Sequence, residues 1–100
     1  MALFDIGDRV RIENEFADAD GNAVDPSVVR IKIRAPDGTE NTYTHGTHSI
    51  VEKTSTGSYR FELTLSAAGS WHYRWVGTGA YVAASEGFIR VRRSQFANPT

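Results

Sequence analysis

The chain has 100 residues, 40% of them hydrophobic and 11% aromatic, with 11 basic and 12 acidic side chains for a net charge of −1. That balance excludes a disordered or fibrous chain, and the length supports one core, burying roughly 60–70% of the unfolded surface, but not a cofactor domain beside a substrate domain. A near-neutral total argues against non-specific nucleic-acid binding, and the absence of cysteine removes disulfides, thiolate nucleophiles and cysteine-held metals.

In chain order, residues 8–16 alternate so that Val10, Ile12 and Phe16 share one side and Arg9, Arg11, Glu13 and Glu15 the other, the pattern of a half-buried strand. Asp18-Ala19-Asp20-Gly21-Asn22 supplies turn chemistry, and Asp25-Pro26 leads into a second strand over 27–34 with Val29, Ile31 and Ile33 inward. Ala35-Pro36 and Asp37-Gly38 make the next turn. Shorter strands are expected at 39–44 and 49–54, around Tyr43 and Ile50, with a loop at His45–His48 between them.

Gly57 precedes the clearest strand, 58–65, in which Tyr59, Phe61, Leu63 and Leu65 alternate with polar residues. Residues 70–76 place Trp71, Tyr73 and Trp75 on one face, as the middle of a sheet packed on a second layer requires; an aromatic platform for sugars or bases is the alternative. After Gly77-Thr78-Gly79, residues 80–84 and 87–93 read as one long final strand, interrupted by a bulge at Gly87, with Ile89 and Val91 inward. About seven short strands at this turn spacing, with no helical period, specify an all-β fold: an antiparallel β-sandwich of immunoglobulin-like type, with a small closed barrel as the alternative. The expected organisation is an N-terminal arm at 1–7, the sandwich at 8–93 and a C-terminal arm at 94–100.

No nucleophile–base pair, paired carboxylates or G-x-S-x-G elbow stands out, so an enzyme is not expected, and no cofactor loop is present. His45-x-x-His48, completed by His72 or a carboxylate, is a weak metal spacing, and Asp18–Asn22 resembles a calcium loop without its terminal glutamate. The opening MALFDIGDRV lacks signal-peptide features and no ~20-residue apolar run follows, so a soluble product made in the cytosol, away from membranes, is expected.

Charge is unevenly spread: residues 1–26 hold seven acids against Arg9 and Arg11, and residues 86–100 hold Arg90, Arg92 and Arg93 against Glu86. Arginines outnumber lysines nine to two, and Arg30, Arg34, Arg60, Arg74, Arg90 and Arg92 fall on the outward side of their strands, where guanidinium forks suit carboxylate partners. Phe88 shares that parity. Leu3, Phe4 and Phe96 sit in the terminal segments, where apolar arms either dock on a neighbour or close the domain's own core. The expected protein-binding set is therefore Leu3, Phe4, Phe88, Arg90, Arg92, Arg93 and Phe96.

The D-x-D-G-N-x-V-D-P turn at 18–26, the A-P-D-G-T turn at 35–39, and Gly57-x-Tyr59 with Gly69-x-Trp71-x-Tyr73-x-Trp75 make residues 7–93 resemble the small immunoglobulin-like structural proteins of tailed bacteriophages and prophages. The resemblance implies a non-enzymatic virion protein that decorates the capsid or sits at the neck or tail. Its implied partners are the major capsid, neck or tail proteins, met as a symmetric oligomer or in multiple copies. A carbohydrate-binding adhesion module using His45, His48 and Tyr81 is the alternative function.

Overall fold

The structure is a computed structural model that describes residues 3–79 and 81–96. Eight strands form: β1 (Leu3–Phe4), β2 (Arg9–Glu15), β3 (Val28–Arg34), β4 (Glu40–Thr44), β5 (Val51–Ser55), β6 (Ser58–Thr64), β7 (Gly69–Thr78) and β8 (Ala83–Val91). They build two sheets, β1-β8-β7-β3-β4 and β2-β6-β5. Hairpins β3–β4, β5–β6 and β7–β8 stay within a sheet, whereas β2→β3, β4→β5 and β6→β7 cross between sheets. The chain is thus an all-β sandwich of two sheets, five strands and three.

Alternation in the sequence becomes the core directly. Ile12 from β2, Val29, Ile31 and Ile33 from β3, Tyr59 and Phe61 from β6, Trp71 and Trp75 from β7 and Val91 from β8 are all buried between the sheets, joined by Phe16, Val24 and Leu65 from the flanking loops. Tyr59, Trp71 and Trp75 are therefore core, and the platform reading of these rings is excluded.

Several expectations are corrected. The eight strands agree with the expected count of about seven, but the short first one, β1, lies in the segment expected as an arm and pairs parallel to β8 through Leu3↔Arg90 and Phe4↔Val91. Phe4 and Ile6, from the segment expected as an N-terminal arm, pack against the core, while Leu3 stays 62% exposed. Ile50 is 41% exposed and precedes β5, whose single buried side chain is Val51; a lone apolar pair in a short strand leaves its parity undetermined, and a one-residue slip exchanges the faces. β7 runs on through Gly77 and Thr78 rather than breaking there.

Gly87 does not mark a bulge. β8 pairs with β7 without interruption from Gly77↔Ala83 to Gly69↔Val91, ending at Val91 rather than 93; of the expected start at 80–84, residue 80 lies outside the described residues. The glycine is required because Tyr73 lies opposite it and a Cβ at 87 would overlap the Tyr73 ring and hydroxyl. Gly87→Ala should therefore cost about 1–3 kcal/mol as overpacking. Combining it with Tyr73→Leu should recover much of that loss, giving a coupling of about 0.5–3 kcal/mol in a double-mutant cycle followed by urea unfolding; strict additivity would show that the ring is not the reason for the glycine.

Candidate functional site

The two sheets turn very different outer faces to solvent. On the three-stranded sheet, Arg9, Arg11 and Arg60 are matched by Glu13, Glu15, Glu52 and Glu62. Register places Arg11 opposite Glu62 and Glu52 opposite Arg60, and each cation finds a carboxylate: Arg9–Glu62 at 2.6 Å, Arg11–Glu62 at 3.6 Å and Arg60–Glu52 at 3.2 Å. Cross-strand pairs of opposite charge are mildly stabilising and leave the face electrically quiet.

On the five-stranded sheet the strands present Arg30, Lys32, Arg34, Arg74 and Arg90 outward against only Glu40 and Glu86. Residues in register make rows across it: Glu40, Arg34, His72, Phe88; then Thr42, Lys32, Arg74, Glu86; then Thr44, Arg30, Val76, Ala84. Glu40 neutralises Arg34 at 2.6 Å and Glu86 neutralises Arg74 at 3.0 Å. Among the described residues, Arg30, Lys32 and Arg90 have no ion-pair partner. A shallow concavity of about 190 Å³ opens on this face, lined by Lys32, Arg34, Glu40, His72, Arg74 and Glu86.

The structure divides the expected binding residues into separate groups. Leu3, Phe88 and Arg90 cluster at the β8 side of the basic face: Leu3 pairs with Arg90, and the Phe88 ring, 49% exposed, lies 6.2 Å from the His72 ring, centre to centre, at a tilt of 38°. Arg93 and Phe96 instead line a second groove with Asp5, Ile6, Arg92, Ser94 and Gln95, with Phe96 76% exposed; residues 97–100 of the expected C-terminal arm lie outside the described residues. Phe4 is turned toward the core. Arg92 is engaged within the chain, where its Nε and Nη2 grip the Asp5 carboxylate, Nη2 at 3.3 Å. That hydrogen bond, and then the attraction between the charges, raises the Arg92 pKa above its ordinary value. The clamp fastens β1 to the end of β8, assisted by the Arg92 N–H donating to the Phe4 carbonyl.

Arg30 and Lys32 are the residues that sequence reasoning passed over as sites. Their outward parity is plain in the sequence; what singles them out is register, because both acids on this face stand beside other arginines.

The three histidines do not converge. His72 lies on the basic face, whereas His45 and His48 belong to the β4–β5 loop, where His48 Nδ1 accepts from the Thr44 N–H at 2.9 Å and His45 meets the Tyr59 ring edge-on at 5.3 Å. Among the described residues no group of three or more His, Cys, Asp or Glu is arranged around a metal position. In the Asp18–Asn22 loop, Asp18 Oδ1 accepts from the Asp20 and Asn22 N–H groups, both at 2.9 Å, so its carboxylate closes the turn.

A second carboxylate does more. Asp25 accepts from Lys53 Nζ at 2.7 Å, the Gly57 N–H at 2.8 Å and the Tyr59 hydroxyl at 3.0 Å, joining the segment before β3 to the β5–β6 hairpin. The Lys53 bond first, then the Gly57 bond, lower its pKa to about 2, while burial and the Asp25 bond push the Tyr59 phenol up to about 12. Sequence reading gave Asp25 only a turn role, because its partners lie 28 to 34 residues away.

No protein-family model, no curated protein and no solved structure matches this chain, so function is argued from the surface itself.

Proposed function

We propose that the chain is a non-enzymatic structural subunit of a tailed-phage virion. It acts as a capsid-decorating or head–tail accessory protein that docks the outer face of its five-stranded sheet on an acidic surface of a major capsid, neck or tail protein. The observation that carries the docking is the contrast between the faces: one sheet neutralises every cation it displays, and the other leaves Arg30, Lys32 and Arg90 without an ion-pair partner among the described residues, with Arg90 next to exposed Phe88 and Leu3 at the β8 side. Unpaired guanidinium groups beside an aromatic anchor are the composition of a protein-binding patch rather than of a solvated one. The virion setting rests on the resemblance of the Asp18–Pro26 turn and the glycine–aromatic motifs.

Co-sedimentation with undecorated phage particles, at low and moderate salt, tests this reading. Saturable binding that weakens with salt is expected. The Arg30→Glu, Lys32→Glu double variant should lose at least tenfold in affinity, whereas Glu15→Lys, on the opposite sheet, should bind as wild type. Undiminished binding by the double variant would remove the basic face from the interface, and binding to bacterial surface polysaccharide alone would replace the virion reading with glycan adhesion.

A further inference from the structure

Among the described residues the two sheets end at β2, β5 and β4 and, on the fourth side, at β8 with its two-residue cover β1; the first three edges are guarded. β2 (RVRIENE) alternates charges along its length, β4 (ENTYT) is short and polar, and β5 (VEKTS) carries Lys53 and a register irregularity between Lys53 and Ser55. Charges, shortness and bulges are the means by which edges avoid pairing with another chain. β8 is long and regular, with no bulge. Among the described residues its edge is covered by β1 only at Arg90 and Val91, which leaves Ala83–Ile89, sequence AASEGFI, open with a single charge, Glu86, already held by Arg74. Next to it Tyr81 and Val82 are exposed, Val82 by 80%.

We propose that this edge pairs antiparallel with the same edge of a second copy of the chain, about a two-fold axis through Ser85, joining the two five-stranded sheets into one of ten strands. The backbone fixes which groups are available. Arg92 N–H donates toward β1, so by strand alternation the N–H and C=O of Phe88, Glu86 and Ala84 point to the open edge, and those of the odd-numbered residues point to β7. A two-fold that keeps both outer faces on one side centres on a residue, and three centres fit the open length. Centring on Glu86 sets that carboxylate against its own copy. Centring on Gly87 brings Ala84 opposite Arg90, where β1 already sits. Centring on Ser85 places Glu86 opposite Ala84 and the exposed Phe88 opposite the exposed Val82, and ends at Ile89 opposite Tyr81, short of β1. Like charges directly opposite are destabilising and aromatic–β-branched pairs are favourable, so the third register is selected.

The protein alone, without particles, tests the pairing, so its outcome is independent of the docking surface proposed above. Analytical ultracentrifugation should show a concentration-dependent dimer. Ser85 lies on the axis in a non-hydrogen-bonded pair, where opposite Cα atoms stand about 4.5 Å apart, within disulfide reach. Ser85→Cys should therefore form an intermolecular disulfide under mild oxidation, and Ala83→Cys, which faces Gly87 of the other copy, should not. Val82→Lys, at a solvent-exposed position, should weaken the dimer at least tenfold while leaving the far-ultraviolet spectrum and urea midpoint of the monomer unchanged. Ala84→Pro should do the same, because the N–H it removes points away from β7. A monomer at every concentration with no Ser85→Cys cross-link, or equal cross-linking by Ala83→Cys, overturns the proposal.

Discussion

Trp75→Ala is expected to be among the most destabilising single substitutions in the domain. The indole is fully buried at the centre of β7, with Ile31 of β3 and Ser85 of β8 in register on either side. Truncating a buried tryptophan costs about 3–5 kcal/mol, against a total stability of about 5–15 kcal/mol for a domain of this kind. At about 4–8 °C per kcal/mol for a chain near this length, the midpoint should fall by on the order of 20 °C. Trp75→Phe should be far milder than its size suggests. Trp75 Nε1 is buried with no hydrogen-bond acceptor among the described residues, and a buried unpaired donor costs about 1–3 kcal/mol, which phenylalanine removes. Trp71→Phe has no such compensation, because Trp71 Nε1 donates to the Ala67 carbonyl at 3.0 Å. Urea unfolding should therefore rank the losses Trp75→Ala, then Trp71→Phe, then Trp75→Phe; a larger loss for Trp75→Phe than for Trp71→Phe would mean that the Trp75 N–H is satisfied in solution.

The strands that carry this core were legible because each buries one face along five or more residues, and a period of two is unmistakable over that length. β2, β3, β6 and β7 lie where alternation puts them. β1 was not legible: two residues have no period, and the strand exists through its pairing to β8 and the Asp5–Arg92 clamp, which joins positions 87 residues apart. Gly87 was misread for a related reason, since a glycine in a strand signals either a bulge or a close approach, and only the opposite residue, Tyr73, decides between them.

The candidate surface was half legible. Parity along β3, β7 and β8 showed which arginines face outward, but which of them are neutralised depends on cross-strand register. Register moved the emphasis to Arg30 and Lys32, while the Asp5 carboxylate occupies Arg92 within the chain. Two of the sequence motifs acquire a physical account in the same way. The Asp25 of the D-x-D-G-N-x-V-D-P turn is bonded by both ends of Gly57-x-Tyr59, so sequence features 32 and 34 residues apart are one structural tie.

That tie should govern the acid limit of stability. The Asp25 carboxyl falls from its ordinary 3.8 to about 2 in the folded chain, so its contribution is fully present above pH 4 and is lost as pH falls through 2. Asp25→Asn keeps an acceptor for Gly57 and Tyr59 but gives up the charge opposite Lys53. In urea unfolding the variant should be less stable than wild type at pH 6, and the gap should close between pH 4 and pH 2, where wild type becomes neutral as well. A gap of equal size at pH 6 and pH 2 would assign the loss to packing instead of charge. Tyr59 gives the opposite limb: its phenol is raised from 10.0 to about 12, so its contribution holds below pH 10 and is lost through pH 12, a decline that Tyr59→Phe should flatten. Gly57 is the backbone half of the tie. Its φ of +77° disfavours any side chain, and an added Cβ would stand 2.6 Å from the Phe16 carbonyl oxygen and 3.1 Å from the Val24 backbone. Left-handed geometry alone costs a non-glycine residue about 1–2 kcal/mol, and here the Phe16 N–H to Gly57 carbonyl bond at 2.7 Å must also shift. Gly57→Ala should therefore destabilise at every pH. Because it displaces the N–H that Asp25 accepts, it should also raise the Asp25 pKa and move the acid transition to higher pH, which Asp25→Asn in the same background should cancel.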